Sequence, residues 1–166
     1  MYRNIIAQSP EMSHGYGGLG GLYFDAGEYA EAAEFLSHAV ELNPHDFKHL
    51  HNLGLALVGL GRLDEARAVG ETGVQRFPGM ARFLKIIALS SMDNDPPRAT
   101  EAVLTGLSID PKDTALRDLL RTLVTTHPAH DDYRRLFTQS ALEPRFSAAR
   151  STVHELLPAD PVPNAP

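Results

Sequence analysis

Cysteine is absent from the 166-residue chain, which excludes a disulfide framework, a thiolate nucleophile and a zinc–thiolate site. Long apolar runs are missing too. Although 43% of the residues are apolar, they are dispersed, and a membrane span needs about 20 in succession. A secretory signal needs a basic start and a continuous apolar stretch, and Met1 to Met12 has neither. Basic residues are the minority: 15 Lys and Arg against 21 Asp and Glu leave a net charge of −6. That is the wrong sign for a surface that neutralises phosphates, so nucleic acid is excluded as a partner. With no membrane segment and no disulfides, the expected location is cytoplasmic. The length is enough to bury a sizeable core.

What the chain does have is a period. Pro10, Pro44 and Pro78 stand 34 residues apart, and apolar and small residues recur at fixed offsets between them. From Ser13, one helical pattern carries Tyr16, Leu19, Gly20 and Tyr23, and a second carries Ala32, Leu36 and Ala39 before Pro44. From Phe47 the same offsets hold Leu50, Leu53, Gly54 and Leu57, then Ala66, Gly70 and Gly73 before Pro78. A unit of this length is one helical hairpin that cannot bury its apolar face alone, so its neighbours must stack on it.

These positions, with the turn signatures from Ala26 to Ala32 and from Leu60 to Ala66, resemble the tetratricopeptide repeat family. The resemblance implies an all-α solenoid, a right-handed superhelix of about three and a half hairpins. The repeats are expected at residues 13–46 and 47–80, with a third at 81–113 that is one residue short in its turn. Residues 114–144 form a degenerate fourth hairpin, residues 145–157 an amphipathic capping helix, and the proline-rich residues 158–166 a disordered tail. Projected backwards, the period places Met1 inside a second helix. Residues 1–12 therefore read either as the end of a repeat from a longer array or as a half-repeat that lids the N-terminus.

Several patterns invite a catalytic or metal reading. The run Gly15 to Gly20 matches G-x-G-x-x-G, but that fingerprint serves dinucleotides only after a strand, and here a turn precedes it. His45, His49 and His51 sit close in sequence, yet His49 and His51 are two apart on a helix and face different ways; they read as surface histidines. Glu28, Glu31 and Glu34 read as a solvated helix face. Asp95 before Pro96 suits a helix N-cap followed by proline at the first helical position, not a calcium loop, which needs more oxygen ligands and a glycine. No nucleophile, base and orienting acid can be assembled. The reading is of a protein that is not an enzyme and uses no cofactor or metal.

The resemblance also implies a binding wall built by the first helix of each hairpin. The first repeat would supply His14, Gly17, Gly18, Gly21 and Phe24; the second Lys48, His51, Asn52, Leu55 and Val58; the third Arg82, Lys85, Ile86, Leu89 and Met92. Within an acidic chain this wall holds three cations, two histidines and no carboxylate. The candidate ligand residues are His14, Gly17, Gly21, Phe24, Lys48, His51, Asn52, Leu55, Arg82, Lys85 and Leu89, and the expected partner is a peptide or helix of another protein with apolar anchors and an acidic group. Family members that clamp a terminal carboxylate use five polar residues; Asn52 and Arg82 fit two of these positions, whereas Gly17, Gly21 and Ile86 cannot hold a carboxylate. Five glycines between Gly15 and Gly21 are costly in a helix, by about 1 kcal/mol each. Either that helix frays, or Gly17 and Gly21 leave a bare stripe for a ligand backbone. Gly70 sits where Leu36 and Val103 place bulk, so the second hairpin should hold a hole or a neighbouring ring, from Phe77 or Phe83. Two other functions fit the pattern: a scaffold that forms homo-oligomers through its repeat edges, and an accessory subunit of an enzyme complex.

Overall fold

The computed structural model describes residues 2–157; the tail at 158–166 lies outside them. Among the described residues the secondary structure is helical throughout, with ten α-helices and one 3-10 turn. By the density of their internal contacts they divide into two compact units, Met1–Ser90 and Ser91–Pro166. The boundary falls inside the predicted third repeat, at the C-terminal end of its first helix. No described helix is long and apolar enough to cross a membrane.

Unit 1 contains α1 (Tyr2–Gln8), α2 (Ser13–Asp25), α3 (Tyr29–Leu42), α4 (Phe47–Gly59), α5 (Leu63–Arg76) and α6 (Ala81–Ser91). The hairpin turns repeat one device. Gly27 and Gly61 adopt φ of 78° and 72°, the left-handed region that costs glycine least. Around Gly27 the turn is closed by Gly27 N–H to Phe24 O at 3.0 Å and Glu28 N–H to Tyr23 O at 2.9 Å; around Gly61 the matching bonds run from Gly61 to Val58 and from Arg62 to Leu57. These pairs form a Schellman motif, which satisfies carbonyls that the helix end leaves open. Asp46 caps α4 by accepting from Lys48 N–H at 2.9 Å.

The core of unit 1 gathers Ala32, Ala33, Leu36, Leu50, Leu53, Ala56, Leu57, Ala66, Phe83 and Ile86. Leu19, Leu36, Leu53, Leu57 and Ile87 are buried as the register predicts. Tyr23 is only half-buried: it stacks on Phe35 with ring centroids 5.5 Å apart, and its hydroxyl stays at the surface to accept from Arg3 at 3.1 Å. The space at Gly70 is filled, but not by a ring. A Cβ there would lie 2.8 Å from Ile87 and 3.2 Å from the Phe83 carbonyl. The Phe83 ring instead covers Gly73 and stacks on Phe77 at 5.7 Å.

Unit 2 contains α7 (Pro96–Ile109), α8 (Thr114–Thr125), α9 (His130–Ser140), a 3-10 turn (Pro144–Phe146) and α10 (Ser147–Leu156). Asp95 is the N-cap of α7, accepting from Arg98 N–H at 3.2 Å, with proline at the first helical position. Asp113 does the same for α8 through Leu116 N–H at 3.0 Å. The predicted last helix over 145–157 starts later, at Ser147, because Pro144 opens a 3-10 turn first. Its apolar residues Ala149 and Val153 are buried, and α10 packs against α7 and α8. Arg150 reaches back to the end of α9, donating to Ala141 O at 2.9 Å and Leu142 O at 3.0 Å.

Polar ties hold the turns of this unit. His127 Nδ1 accepts from Ala129 N–H at 3.1 Å, which leaves Nε2 to donate to Asp93 at 3.0 Å. Tyr133 is fully buried and donates its hydroxyl to Met92 O at 2.5 Å. Burial, and after it the charges of Asp93 and Asp95, push the Tyr133 hydroxyl up to about 12, so it is a protonated donor at neutral pH.

Candidate functional site

The glycine cluster decides what the first-helix face of unit 1 looks like. Instead of fraying, α2 is a continuous helix over Ser13–Asp25, and most of its bare positions are occupied by neighbours. A Cβ on Gly15 would meet Ile6 at 2.9 Å and Ile5 at 3.1 Å; one on Gly18 would collide with the Tyr2 ring; one on Gly20 would meet Leu36 at 2.7 Å. Gly17 is covered by the imidazole of His49. Gly21 alone of the five has nothing within 4 Å. The helix cost of these glycines is thus offset by close packing of α1, α3 and α4, and the predicted bare stripe survives only at Gly21. The dinucleotide-like run Gly15 to Gly20 lies within this helix, so it forms no phosphate-cradling loop.

His49 is the main correction to the sequence reading. It is a buried wedge, only 9% exposed, with Nε2 3.7 Å from Asp46 Oδ2 and Nδ1 buried without a hydrogen-bond partner. Burial is the largest influence on it and pushes its pKa below the usual 6.5; Asp46 opposes this, while His14 and Lys48 add to it. Two further positions leave the predicted wall. Gly17 is buried beneath His49, and Ile86 is fully buried against Gly54, where an added Cβ would lie 2.6 Å from it. Gly18 is likewise covered by Tyr2.

The remaining candidates reach the surface of unit 1. His14, Lys48 and Arg82 are exposed, and Gly21, Phe24, His51, Asn52, Leu55, Lys85 and Leu89 are half-buried. His51 ties the polar ones together. Its pKa is lowered first by burial and then by the positive charges of Arg82 and Lys85, while a hydrogen bond with Asn52 acts the other way. The His51 ring meets the edge of Phe83 at 6.1 Å. The Arg82 guanidinium lies over the Phe47 ring, 5.0 Å from its centroid, a cation–π contact that holds it without neutralising it. Among the described residues no carboxylate pairs with Lys48, Arg82 or Lys85. Half-buried Leu55 and Leu89 accompany the cations on the same helices, and Phe24 packs on Tyr29 at 5.7 Å. Met92, the last predicted wall residue, belongs to unit 2, where its carbonyl accepts from Tyr133.

Sequence reasoning missed Phe47 as the support for Arg82, because it was assigned no role on the wall, and it missed His49 as the occupant of Gly17. The sequence offers a bare position at Gly17 and a ring at His49, but not which of the bare positions that ring enters.

The sequence pattern of the tetratricopeptide repeat matches residues 1–57 and again 23–89. Among solved structures, the chain is similar to the crystal structure of YrrB, a TPR protein with an unusual peptide-binding site. The two are 14% identical and align with a TM-score of 0.62 over 96% of this chain and 93% of that one. At that identity the likeness shows the fold.

Proposed function

The chain belongs to the tetratricopeptide repeat family, and on that footing we propose that it is a non-catalytic interaction module that holds an acidic segment of a partner protein on the first-helix face of unit 1. One observation carries this reading: in a chain of net charge −6, Arg82 and Lys85 bear on one half-buried histidine, His51, and neither is neutralised by a described carboxylate. Uncompensated cations beside half-buried leucines favour a ligand that supplies both a carboxylate and apolar side chains. Asn52 offers a neutral hydrogen-bonding partner beside them, and Gly21 leaves room for a backbone to come close.

Binding would also change His51. An incoming carboxylate raises the pKa that burial and the two cations now depress, so the complex takes up a proton. The affinity therefore rises as pH falls from above the bound pKa to below the free one.

The test is titration of the chain with a labelled acidic peptide carrying two leucines. Arg82→Glu combined with Lys85→Glu should abolish binding, since each charge-assisted contact is worth about 1.5–3 kcal/mol. Raised salt should weaken it, and Leu55→Asp should add to the loss. Unchanged affinity in the double reversal, together with a loss on Glu34→Lys, would move the acidic-peptide site off this face. Light scattering separates a monomeric module from a homo-oligomeric scaffold.

A further inference from the structure

Away from the cationic face, unit 1 carries a groove of about 400 Å³ between α3 and α5. Its base is Leu53 and Leu57 of α4, and its flanks stay open because Ala30, Ala33, Ser37 and Ala68 are too short to fill it. An engineered cavity of roughly 150 Å³ accepts a benzene ring, so this space admits about two apolar side chains. The α3 flank, from Ala30 to Ser37, is about 10 Å long at about 1.5 Å per residue. That length matches two side chains at i and i+4 of a partner helix, whose Cβ atoms stand about 5–6 Å apart.

The rim has a sign. Arg62 is already occupied, donating twice to Glu65 at 2.7 and 2.6 Å. Glu34 lines the rim with no cationic partner among the described residues; Glu28 and Glu31, on the preceding turns of the same helix, do not line the groove and bring no cation to it. Glu28 and Glu31 lie at the N-terminal end of α3, where the helix dipole favours carboxylates; Glu34 lies beyond the first turn and gains little from it. With Glu65 satisfied by Arg62, Glu34 is the rim carboxylate left open to a cation from outside.

We propose that this groove docks a short helical segment of another protein, one that inserts two apolar side chains a turn apart and sets a lysine or arginine against Glu34. Its charge preference is opposite to that of the cationic face, so unit 1 would be a two-sided adaptor. This site stands whether or not the acidic-segment reading holds.

The experiment pans a library of random dodecapeptides, displayed on phage, against the full chain, and titrates synthetic versions of the recovered peptides. Ala30 and Ala68 are exposed, so Ala68→Phe fills the groove without entering the core; Glu34→Lys alters only the rim charge. The expected result is a set of peptides rich in Lys or Arg with apolar residues four apart. Their affinity should fall at least about tenfold with Ala68→Phe and about tenfold with Glu34→Lys, each tenfold being about 1.4 kcal/mol, and an acidic peptide should not compete with them. If Ala68→Phe lowers the melting temperature, Ala30→Tyr fills the groove from the other flank and Glu34→Lys still decides the charge. Recovered peptides that ignore all these variants, or groove-dependent peptides that are acidic, overturn the proposal. So does a concentration-dependent dimer that Ala68→Phe abolishes, since the occupant would then be a second copy.

Discussion

Twelve of the chain's 13 glycines lie in unit 1 and only Gly106 lies in unit 2, and the two units pack accordingly. In unit 1 the close contacts set a glycine against a ring or a branched chain: Gly17 under His49, Gly18 under Tyr2, Gly54 against Ile86, Gly73 under Phe83. In unit 2 the helices carry larger residues, as in α8 with buried Leu116, Leu119, Leu120 and Leu123. Its turns are fastened by side chains that reach across sequence, such as Tyr133 to Met92 and His127 to Asp93, and Arg117 of α8 binds Glu155 of α10 at 2.6 Å. The difference teaches how packing can substitute for polar ties. Where small residues recur at fixed offsets, backbones come close and shape fixes most of the arrangement, with only exposed ties such as Arg3 to Tyr23 and Arg76 to Pro44 O added. Where that pattern thins, a buried hydroxyl and an imidazole bridging two segments help to hold the turns.

The largest expected effect tests the shared ground of both units, the leucine core. Leu36 is fully buried and packs on Gly20, so Leu36→Ala should cost about 2–5 kcal/mol in denaturant unfolding. A loss under about 0.5 kcal/mol would sink the register on which the comparison rests. Next in size are the filled notches of unit 1. Gly73→Leu and Gly70→Leu should each destabilise by about 1–3 kcal/mol, because Phe83 and Ile87 already occupy the space. A raised melting temperature in either variant would show a cavity there instead and dissolve the contrast.

Smaller again is the polar tie of unit 2. Tyr133→Phe keeps the ring and removes only the bond to Met92 O, so about 0.5–1.5 kcal/mol should be lost, read from urea midpoints. No loss would mean that unit 2 is held by packing just as unit 1 is. The smallest effect separates two glycines four residues apart. Gly21→Ala meets nothing and should gain about 0.5–1 kcal/mol from helix propensity, whereas Gly17→Ala must expel the His49 ring. In the native protein His49 should titrate below the usual 6.5, and in Gly17→Ala its NMR titration should move back toward that value. Because the folded pKa is depressed, mainly by burial, the stability linked to His49 is present above the unfolded pKa and is lost as pH falls through the folded one. If the native titration midpoint is at or above 6.5, the wedge assignment fails.

What the sequence determined by itself is local and periodic. The 34-residue spacing, the helices and their apolar stripes, and the aspartate cap with its following proline at Asp95 all follow from the 3.6-residue turn and from bonds made within a few residues of one another. The period also set Lys48 with Arg82 and His51 with Lys85 at matching offsets, and Asn52 with Ile86, which is buried; that Asn52, Arg82 and Lys85 all act on His51 is a property of the folded chain. Tertiary structure alone decided which bare positions are open. Gly17 and Gly21 are indistinguishable in the helical pattern, yet His49 covers one and nothing meets the other; His49 comes from α4, and which notch it enters depends on the spacing of two helix axes. The groove beside Ala30 and Ala68 was illegible for the same reason. A hole is a property of how α3, α4 and α5 fail to fill the volume between them, and no single helix's sequence contains that volume.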